Sequence, residues 1–424
     1  MNLYEPAQAH CLVRLEDKEF QEMVDKDSQT VIVDGLRSPF GKMGGNFKAV
    51  AAPDLAAPLI KALLEKYKVP GERVDEVILG QVVQAGCGQI PSRQALLKAG
   101  LPVTCESTTV NKVCASGMRA VTIGDMRIRS GEGDIIVAGG MESMSQAPYL
   151  VDANAARFGK RMGHVDFKDA MLQDGLECPV ANVHMAVHGS NVAQEFKISR
   201  EDQDQWALRS HLRAIKAQES GKFAEEILPI EVPQGKGQTK AIDKDEAPRA
   251  DTTIDALKNL KPVFVKEGSI TAGNAPGVND GAAVLLLMSP SKAKEMNVKP
   301  LAKIVAHASI GQDVPYLATV PALAMEKALK KAGMTVDQLE LIEINEAFAS
   351  VALKSIQMLG VDPEKVNVNG GAIALGHPIG ASGARILLTL AKEMKRRGAK
   401  FGAAAICSGT AQGDCVILSR EGLD

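Results

Sequence analysis

Four residues of reactive type fall at what the hydrophobic pattern marks as strand ends: Cys114, Asn345, His377 and Cys407. Cys114 follows the strand-like Thr108-Thr109-Val110 and precedes Ser116 to Arg129, where small and apolar residues recur at helical spacing. It therefore sits at a strand-to-helix turn. Free backbone N–H groups and the positive end of a helix dipole aim at a sulfur in that place, which favours thiolate over thiol. A thiolate there is a nucleophile suited to an acyl group. Each residue taken singly has a blander account. A lone cysteine among apolar neighbours is more often a small buried hydrophobe; His377 in Gly376-His377-Pro378-Ile379-Gly380 reads as a helix cap, and Asn345 as an Asx-turn. Four such residues at equivalent strand ends point instead to one shared site.

The elements that must position them alternate. Thr30 to Gly35 reads as a strand, Pro53 to Lys68 as a helix, Glu76 to Val83 as a strand, Ser92 to Gly100 as a helix, and Asp134 to Ala138 as a strand. This is the β/α alternation of a largely parallel sheet covered by helices. From Tyr149 to Gly268 the pattern changes to charged, amphipathic material such as Ser199 to Gly221, which holds the single Trp at 206, and Gly- and Lys-rich material such as Gln234 to Lys244. These residues read as a long, partly helical insertion over the site. Thr271 to Asp280 returns the chain to the core through Ala282 to Met288.

The last third repeats the first. Ala302 to Ser309, Leu341 to Ile344 and Val366 to Asn369 read as strands, with helices over Ala322 to Ala332 and Ser382 to Arg396. Gly402 to Cys407 and Asp414 to Ser419 read as a closing pair of strands. Cys114 and His377 then fall at equivalent turns of a pseudo-twofold duplication, both facing one cleft. The expected division is an N-terminal arm (1–29), a first half (30–148), a loop domain (149–268), a return segment (269–290) and a second half (291–424).

Composition bounds the function. Forty-nine basic against fifty-one acidic residues give no sign of a nucleic-acid or membrane partner, and no apolar run approaches the roughly eighteen residues of a membrane span. Seven cysteines, odd in number and without a close CxxC pair, argue against a disulfide framework or structural zinc and for a reducing compartment, the cytoplasm. The first thirty residues are too acidic for a transit peptide and suggest a short helical arm. His184 and His188 share a helix face but lack both the glutamate of an HExxH arrangement and a third ligand nearby, so no metal is expected. Cys415 reads as core; Cys11, Cys105 and Cys178 carry no role, and Cys87, between two glycines, is expected near the cleft.

Longer stretches carry a resemblance. Asn111-Lys112-Val113-Cys114-Ala115-Ser116-Gly117-Met118, Gly139-Gly140-Met141-Glu142-Ser143-Met144-Ser145, Asn345-Glu346-Ala347-Phe348, Asn369 through His377 to Gly383, and Cys407-Ser408-Gly409 are similar to the thiolase family, above all its short-chain acetyltransferase members. The likeness covers residues 30 to 421. It implies an α/β fold of duplicated βαβαβ halves packed as αβαβα layers with an inserted loop domain, and a homodimer or homotetramer. It also implies an acyltransferase working on coenzyme A thioesters without a further cofactor: two acetyl-CoA condense to acetoacetyl-CoA plus CoA.

The resemblance implies a role for each reactive residue. Cys114 attacks the thioester while His377 takes its proton. His377 and a water on Asn345 hold the oxyanion, and Cys407 takes a proton from the α-carbon of the second acetyl-CoA. The N–H groups of Cys114 and Gly409 form a second oxyanion hole. Arg249 meets the nucleotide end of CoA, and Leu176, His184, Met185, Phe264, Ala275, Leu317, Ala347 and Phe348 line the pantetheine and acyl pocket. The bulk of His184 and Met185 favours short acyl groups. Three positions depart from the family pattern. Thr410 and Ala411 replace a glycine run, with Thr410 expected to narrow the approach to Cys407; Pro276 replaces a frequent serine; and Leu317 replaces a methionine of similar volume. Competing readings are degradative thiolysis of longer 3-ketoacyl-CoA and a noncatalytic acyl-CoA or lipid carrier.

Overall fold

A computed structural model describes residues 29–235 and 237–423. The helical arm expected at the N-terminus falls on residues 1–28, outside the described residues. The first half contains β1 (Val31–Arg37), α1 (Ala52–Lys66), β2 (Glu76–Gly80), α2 (Pro91–Lys98), β3 (Glu106–Val110), α3 (Ser116–Ser130) and β4 (Ile135–Ser143). The insertion contributes α4 (Met185–Glu195), α5 (Arg200–Glu219) and a hairpin, β5 (Ile230–Gly235) and β6 (Gln238–Ile242). After it come β7 (Asn279–Met288), β8 (Ala302–Gly311), α6 (Val320–Ala332), β9 (Leu341–Ile344), α7 (Ala349–Leu359), α8 (Ser382–Arg397), β10 (Phe401–Ser408) and β11 (Gln412–Ser419).

The strand order β9-β10-β11-β8-β1-β7-β4-β2-β3 displays the duplication. Outward from the β1/β8 junction, β7, β4, β2 and β3 in one half match β11, β10, β9 and a single parallel bridge, Ile342 to Val366, in the other. Within the sheet, among the described residues, the halves pair through Val31 with Lys303 and Ile32 with Ala302. Each half is mixed rather than largely parallel, as the alternation had suggested: β1 with β7, β7 with β4, β8 with β11 and β10 with β11 are antiparallel. The reason is β7, which enters from the insertion instead of from a crossover helix, and β11, which turns straight back from β10; neither needs the crossover that parallel pairing requires.

Three apolar clusters make the layering physical. Leu55, Leu59, Ile60 and Leu63 of α1 pack on one face of the first half's strands, and Met325, Ala328 and Ala352 of α6 and α7 pack on the far face of the second half's. Between them Met118 and Val121 of α3 meet Ala384, Leu387 and Leu390 of α8, together with Ile78, Ile136 and Leu285 of one half and Ile304, Ile406 and Leu418 of the other. The result is the αβαβα stack. At its centre the two helices start against each other: a Cβ on Gly383 would stand 2.4 Å from the Met118 nitrogen, and one on Gly117 2.8 Å from the Gly380 carbonyl oxygen. Only glycine permits that approach, and it brings the two preceding turns, with Cys114 and His377, to one place.

The insertion is bound to the core, and among the described residues its buried apolar side chains belong to clusters shared with the two halves. Ile230, Val232 and Ile242 join the α1 cluster, and Trp206, Ala207 and Leu257 join the α6 and α7 cluster. The stretch expected as Gly- and Lys-rich loop is the β5/β6 hairpin. Arg37, fully buried on β1, holds it down, with guanidinium bonds of 2.7 and 2.9 Å to both oxygens of Asp245 and one of 2.7 Å to Glu226. Two further expectations are shortened by side chains. The strand expected to reach Val83 ends at Gly80, because the N–H groups of Val82 and Val83 bond the Glu142 carboxylate at 3.0 and 3.2 Å. The strand expected over Val366 to Asn369 is one bridge followed by a turn. There Asn367, at φ 49°, accepts from the Ile344 N–H at 2.8 Å and donates to the Ile344 carbonyl at 2.9 Å, so its side-chain amide does the work of a ladder. Among the described residues no helix is long and apolar enough to cross a membrane.

Candidate active site

Cys114, His377, Cys407 and Gly409 line one cavity of about 330 Å³, the size of a small-molecule site. Cys114 follows Val113, a β-branched residue held at φ 45°. Such a backbone costs about 1–3 kcal/mol and persists where the surroundings impose it. The N–H of Cys114, in this turn, and that of Gly409, just beyond β10, both act on the Cys114 sulfur. The expected thiolate does not follow. Burial pushes the thiol up to about 12, the two N–H groups pull it down without prevailing, and Glu142 adds to the rise. Desolvation outweighs the turn, so Cys114 is a thiol at rest and needs a base.

His377 supplies that base. It is buried, with its backbone N–H on Asn279 Oδ1 at 2.9 Å and its ring Nδ1 2.6 Å from Ser382 Oγ. The Ser382 hydroxyl donates to the Pro378 carbonyl at 2.9 Å. With its one proton committed there, Ser382 accepts from Nδ1–H, and the free lone pair is on Nε2. Nε2 is buried and has no protein partner among the described residues. Burial, with Arg385 adding to it, pulls the imidazole down to about 3, so the ring is neutral at working pH.

Cys407 ends β10, buried, and its thiol lies well above the ordinary range because of burial and the neighbouring Cys114. Asn345, just past β9, is fully buried, and neither its Oδ1 nor its Nδ2 has a protein partner among the described residues. Ala347 and Phe348, the second and third residues after it, line the cavity; Asn345 is not itself among the lining residues.

Leu176, His184, Met185, Phe264, Ala275, Leu317, Ala347 and Phe348 all line the cavity, as does Pro276. His184 caps α4 by accepting the Ala186 N–H on Nδ1 at 3.1 Å, and its ring stacks on Phe264 at 3.7 Å. Arg249, expected at the nucleotide end of CoA and not in this lining, is exposed on the insertion, with its backbone N–H on His211 Nδ1 at 3.3 Å. Thr410 lines an adjoining cleft of about 630 Å³ with Asn111, Asp174 and Glu177, which shares Val113, Met185 and Gly409 with the cavity. Both Thr410 and Ala411 are at positive φ, 59° and 51°, the conformation glycine takes freely. Cys87 lines neither space; it takes a 3.2 Å bond from Gln81.

Sequence reasoning missed two buried carboxylates within stretches it had singled out. Glu142 accepts from Val82, Val83 and Gly380, the last at 2.9 Å, and so ties the end of β2 to the His377 loop; burial raises it to about 8. Glu346 accepts from Trp206 and Ser210 of α5, at 2.9 and 2.8 Å, and from Asn367 and the Ile373 N–H, fastening the insertion to the second half. A charged residue inside an otherwise apolar strand end was the available signal.

Comparison with known proteins bears on this geometry. Residues 30–291 match the model of the thiolase N-terminal domain, and residues 298–420 that of the thiolase C-terminal domain. The chain belongs to the thiolase family. This thiolase is 50% identical over 391 residues to a Pseudomonas aeruginosa protein named acetyl-CoA acetyltransferase, covering 92% of this chain and 99% of that one. It is 48% identical over 394 residues to a Cupriavidus necator protein of the same name, covering 93% and 100%. Its fold matches the crystal structure of the Bacillus anthracis acetyl-CoA acetyltransferase with a TM-score of 0.90 at 42% identity, over 92% of this chain and 98% of that one. The thiolase fold expected from the motifs is thus the fold found.

Proposed function

We propose that this thiolase is an acetyl-CoA C-acetyltransferase, condensing two acetyl-CoA to acetoacetyl-CoA plus CoA and running the reverse thiolysis. The observation that carries the chemistry is the convergence of two thiols and a neutral imidazole with a free Nε2 on one cavity. The relatives' names favour acetyl as the group transferred.

The proton balance follows from the resting states. Cys114 attacks the thioester carbon as its proton passes to His377 Nε2. The thioester carbon–sulfur bond breaks, and the departing CoA sulfur takes the proton of Cys407, a thiol at rest. The enzyme now holds S-acetyl-Cys114, an imidazolium and a Cys407 thiolate. That thiolate removes the α-proton of the second acetyl-CoA, and the imidazolium and a water held by Asn345 stabilise the enolate. The enolate carbon attacks the acetyl carbonyl, whose oxygen lies on the N–H groups of Cys114 and Gly409; collapse expels Cys114, which recovers its proton from His377. The residues supply nucleophile, base and donors, so no cofactor is required beyond the CoA thioester substrates. Arg249 is assigned to the nucleotide end of CoA, and the eight lining residues to pantetheine and the acyl group.

Two thiols that must stay reduced suit the cytoplasm. A homodimer or homotetramer is supported by apolar side chains on the insertion, with Phe158 80% and Met162 88% exposed; neither nucleic acid nor membrane is assigned as a partner. The test is relative thiolysis of 3-ketoacyl-CoA with four, six and ten or more carbons. A steep fall after four carbons is expected, because His184, Met185 and Phe264 close the pocket. Comparable rates at ten carbons would favour the degradative reading.

A further inference from the structure

The two N–H groups aimed at the Cys114 sulfur belong to different halves: that of Cys114 follows β3, that of Gly409 follows β10. A donor pair works only when both groups stand within hydrogen-bond reach of one oxygen, and within the sheet, among the described residues, the halves pair at β1 and β8. The packing of α3 on α8 brings the halves together, and bonds between the two loops then set the fine separation. Lys112 makes them. Its carbonyl accepts the Ser408 hydroxyl, one residue before Gly409. Its N–H donates to Ser116 Oγ at 2.8 Å, fixing it to the first turn of α3. Its Nζ reaches Asp414 Oδ1 at 2.8 Å, on β11, which lies across from Ile406 of β10.

We propose that Lys112 is a positioning residue for this reaction, a strut from the nucleophile turn to Ser408 and Asp414 that sets the distance between the two donors of the acyl oxyanion hole. The Asp414 partner is buried, shares one carboxylate oxygen with Ser309, and leaves Oδ2 without a protein partner among the described residues. A buried pair satisfied on one oxygen contributes little to stability; its contribution is register between the turns. The inference rests on Cys114 being the nucleophile and Gly409 a hole donor.

Lys112→Met, Asp414→Asn, their double variant, Lys112→Arg and Ser408→Ala are compared with Cys114→Ala in single-turnover transfer of the acetyl group from S-acetyl-Cys114 to a second acetyl-CoA, the step whose oxyanion the two N–H groups hold. Removing one hole donor costs about 100- to 1,000-fold, so displacing it should lower the transfer rate about 10- to 100-fold in Lys112→Met. The KM for acetyl-CoA should stay within about twofold, since the pocket walls are untouched. The double variant should be no slower than the slower single one, and Lys112→Arg should recover most of the rate. A rate within about threefold of the parent for Lys112→Met, additive losses in the double variant, or a loss carried by KM would overturn the strut. If Lys112→Met gives no folded protein, Ser408→Ala decides by the same two numbers. Activity persisting in Cys114→Ala would overturn the nucleophile assignment instead, leaving the two failures distinguishable.

Discussion

The turn before α3 and the turn before α8 occupy equivalent places in the two halves, yet they hold their reactive groups by different means. The first presents its sulfur through the backbone, with Val113 forced to φ 45° and main-chain N–H groups on the sulfur, while side chains such as Ser116 and Lys112 brace the turn itself. The second, longer and carrying Gly376 at φ 107°, is held by side chains, with Asn279 on the His377 backbone and Ser382 on its ring. A cysteine sulfur is one bond beyond Cβ, so only the main chain can place it. An imidazole reaches farther and can rotate, so it needs a buttress that also selects the tautomer. Duplication supplied the scaffold, and the two turns then specialised.

Removing each group would break the comparison most sharply. Cys114→Ala should lower both half-reactions by at least about 10⁴-fold, as nucleophile removal does elsewhere. His377→Ala should lower both by about 10²–10⁴-fold, whereas Cys407→Ala should slow acylation only slightly, because CoA can also leave as the thiolate, and should block condensation, which needs the Cys407 base. Equal loss of both steps in Cys407→Ala would end that division of labour. Ser382→Ala should cost less, about 5- to 10-fold in acylation, the worth of one hydrogen bond of roughly 1 kcal/mol. An unchanged rate would show that the ring needs no buttress.

A pH series sharpens the contrast between sulfur and base. With the Cys114 thiol raised to about 12 and His377 lowered to about 3, neither group changes charge between pH 5 and 9. The thiolate fraction then grows with pH, so iodoacetamide labelling of Cys114 should rise roughly tenfold per unit from pH 7 to 10. A plateau below pH 8 would mean a resting thiolate–imidazolium pair. The smallest effect concerns strain: Thr410→Gly, at φ 59°, should raise stability by about 1 kcal/mol in thermal or denaturant unfolding, since glycine takes that conformation freely. Destabilisation would mean that the hydroxyl bond from Thr410 to the Gly409 carbonyl outweighs the relief.

Much of this was legible in the chain. The strand-turn-helix around Cys114 and the helix from Ser382 were visible because apolar spacing is a local property. The resemblance carried further, to eight residues that do line the cavity. It did not say how Arg249 or Asn345 would be held, because a motif names a residue without its surroundings.

The sequence by itself determined which reactive groups exist, the order of the elements that carry them and the family to which they belong, since each is written in residue types a few positions apart. Only the tertiary structure decided the charge states and the holds: that Cys114 rests as a thiol, that Ser382 leaves Nε2 free, that Glu142 ends β2 and Glu346 fastens the insertion. Those depend on desolvation and on partners tens to hundreds of residues away, such as Glu142 with Gly380 and Lys112 with Asp414. Neither quantity exists until the chain has closed on itself.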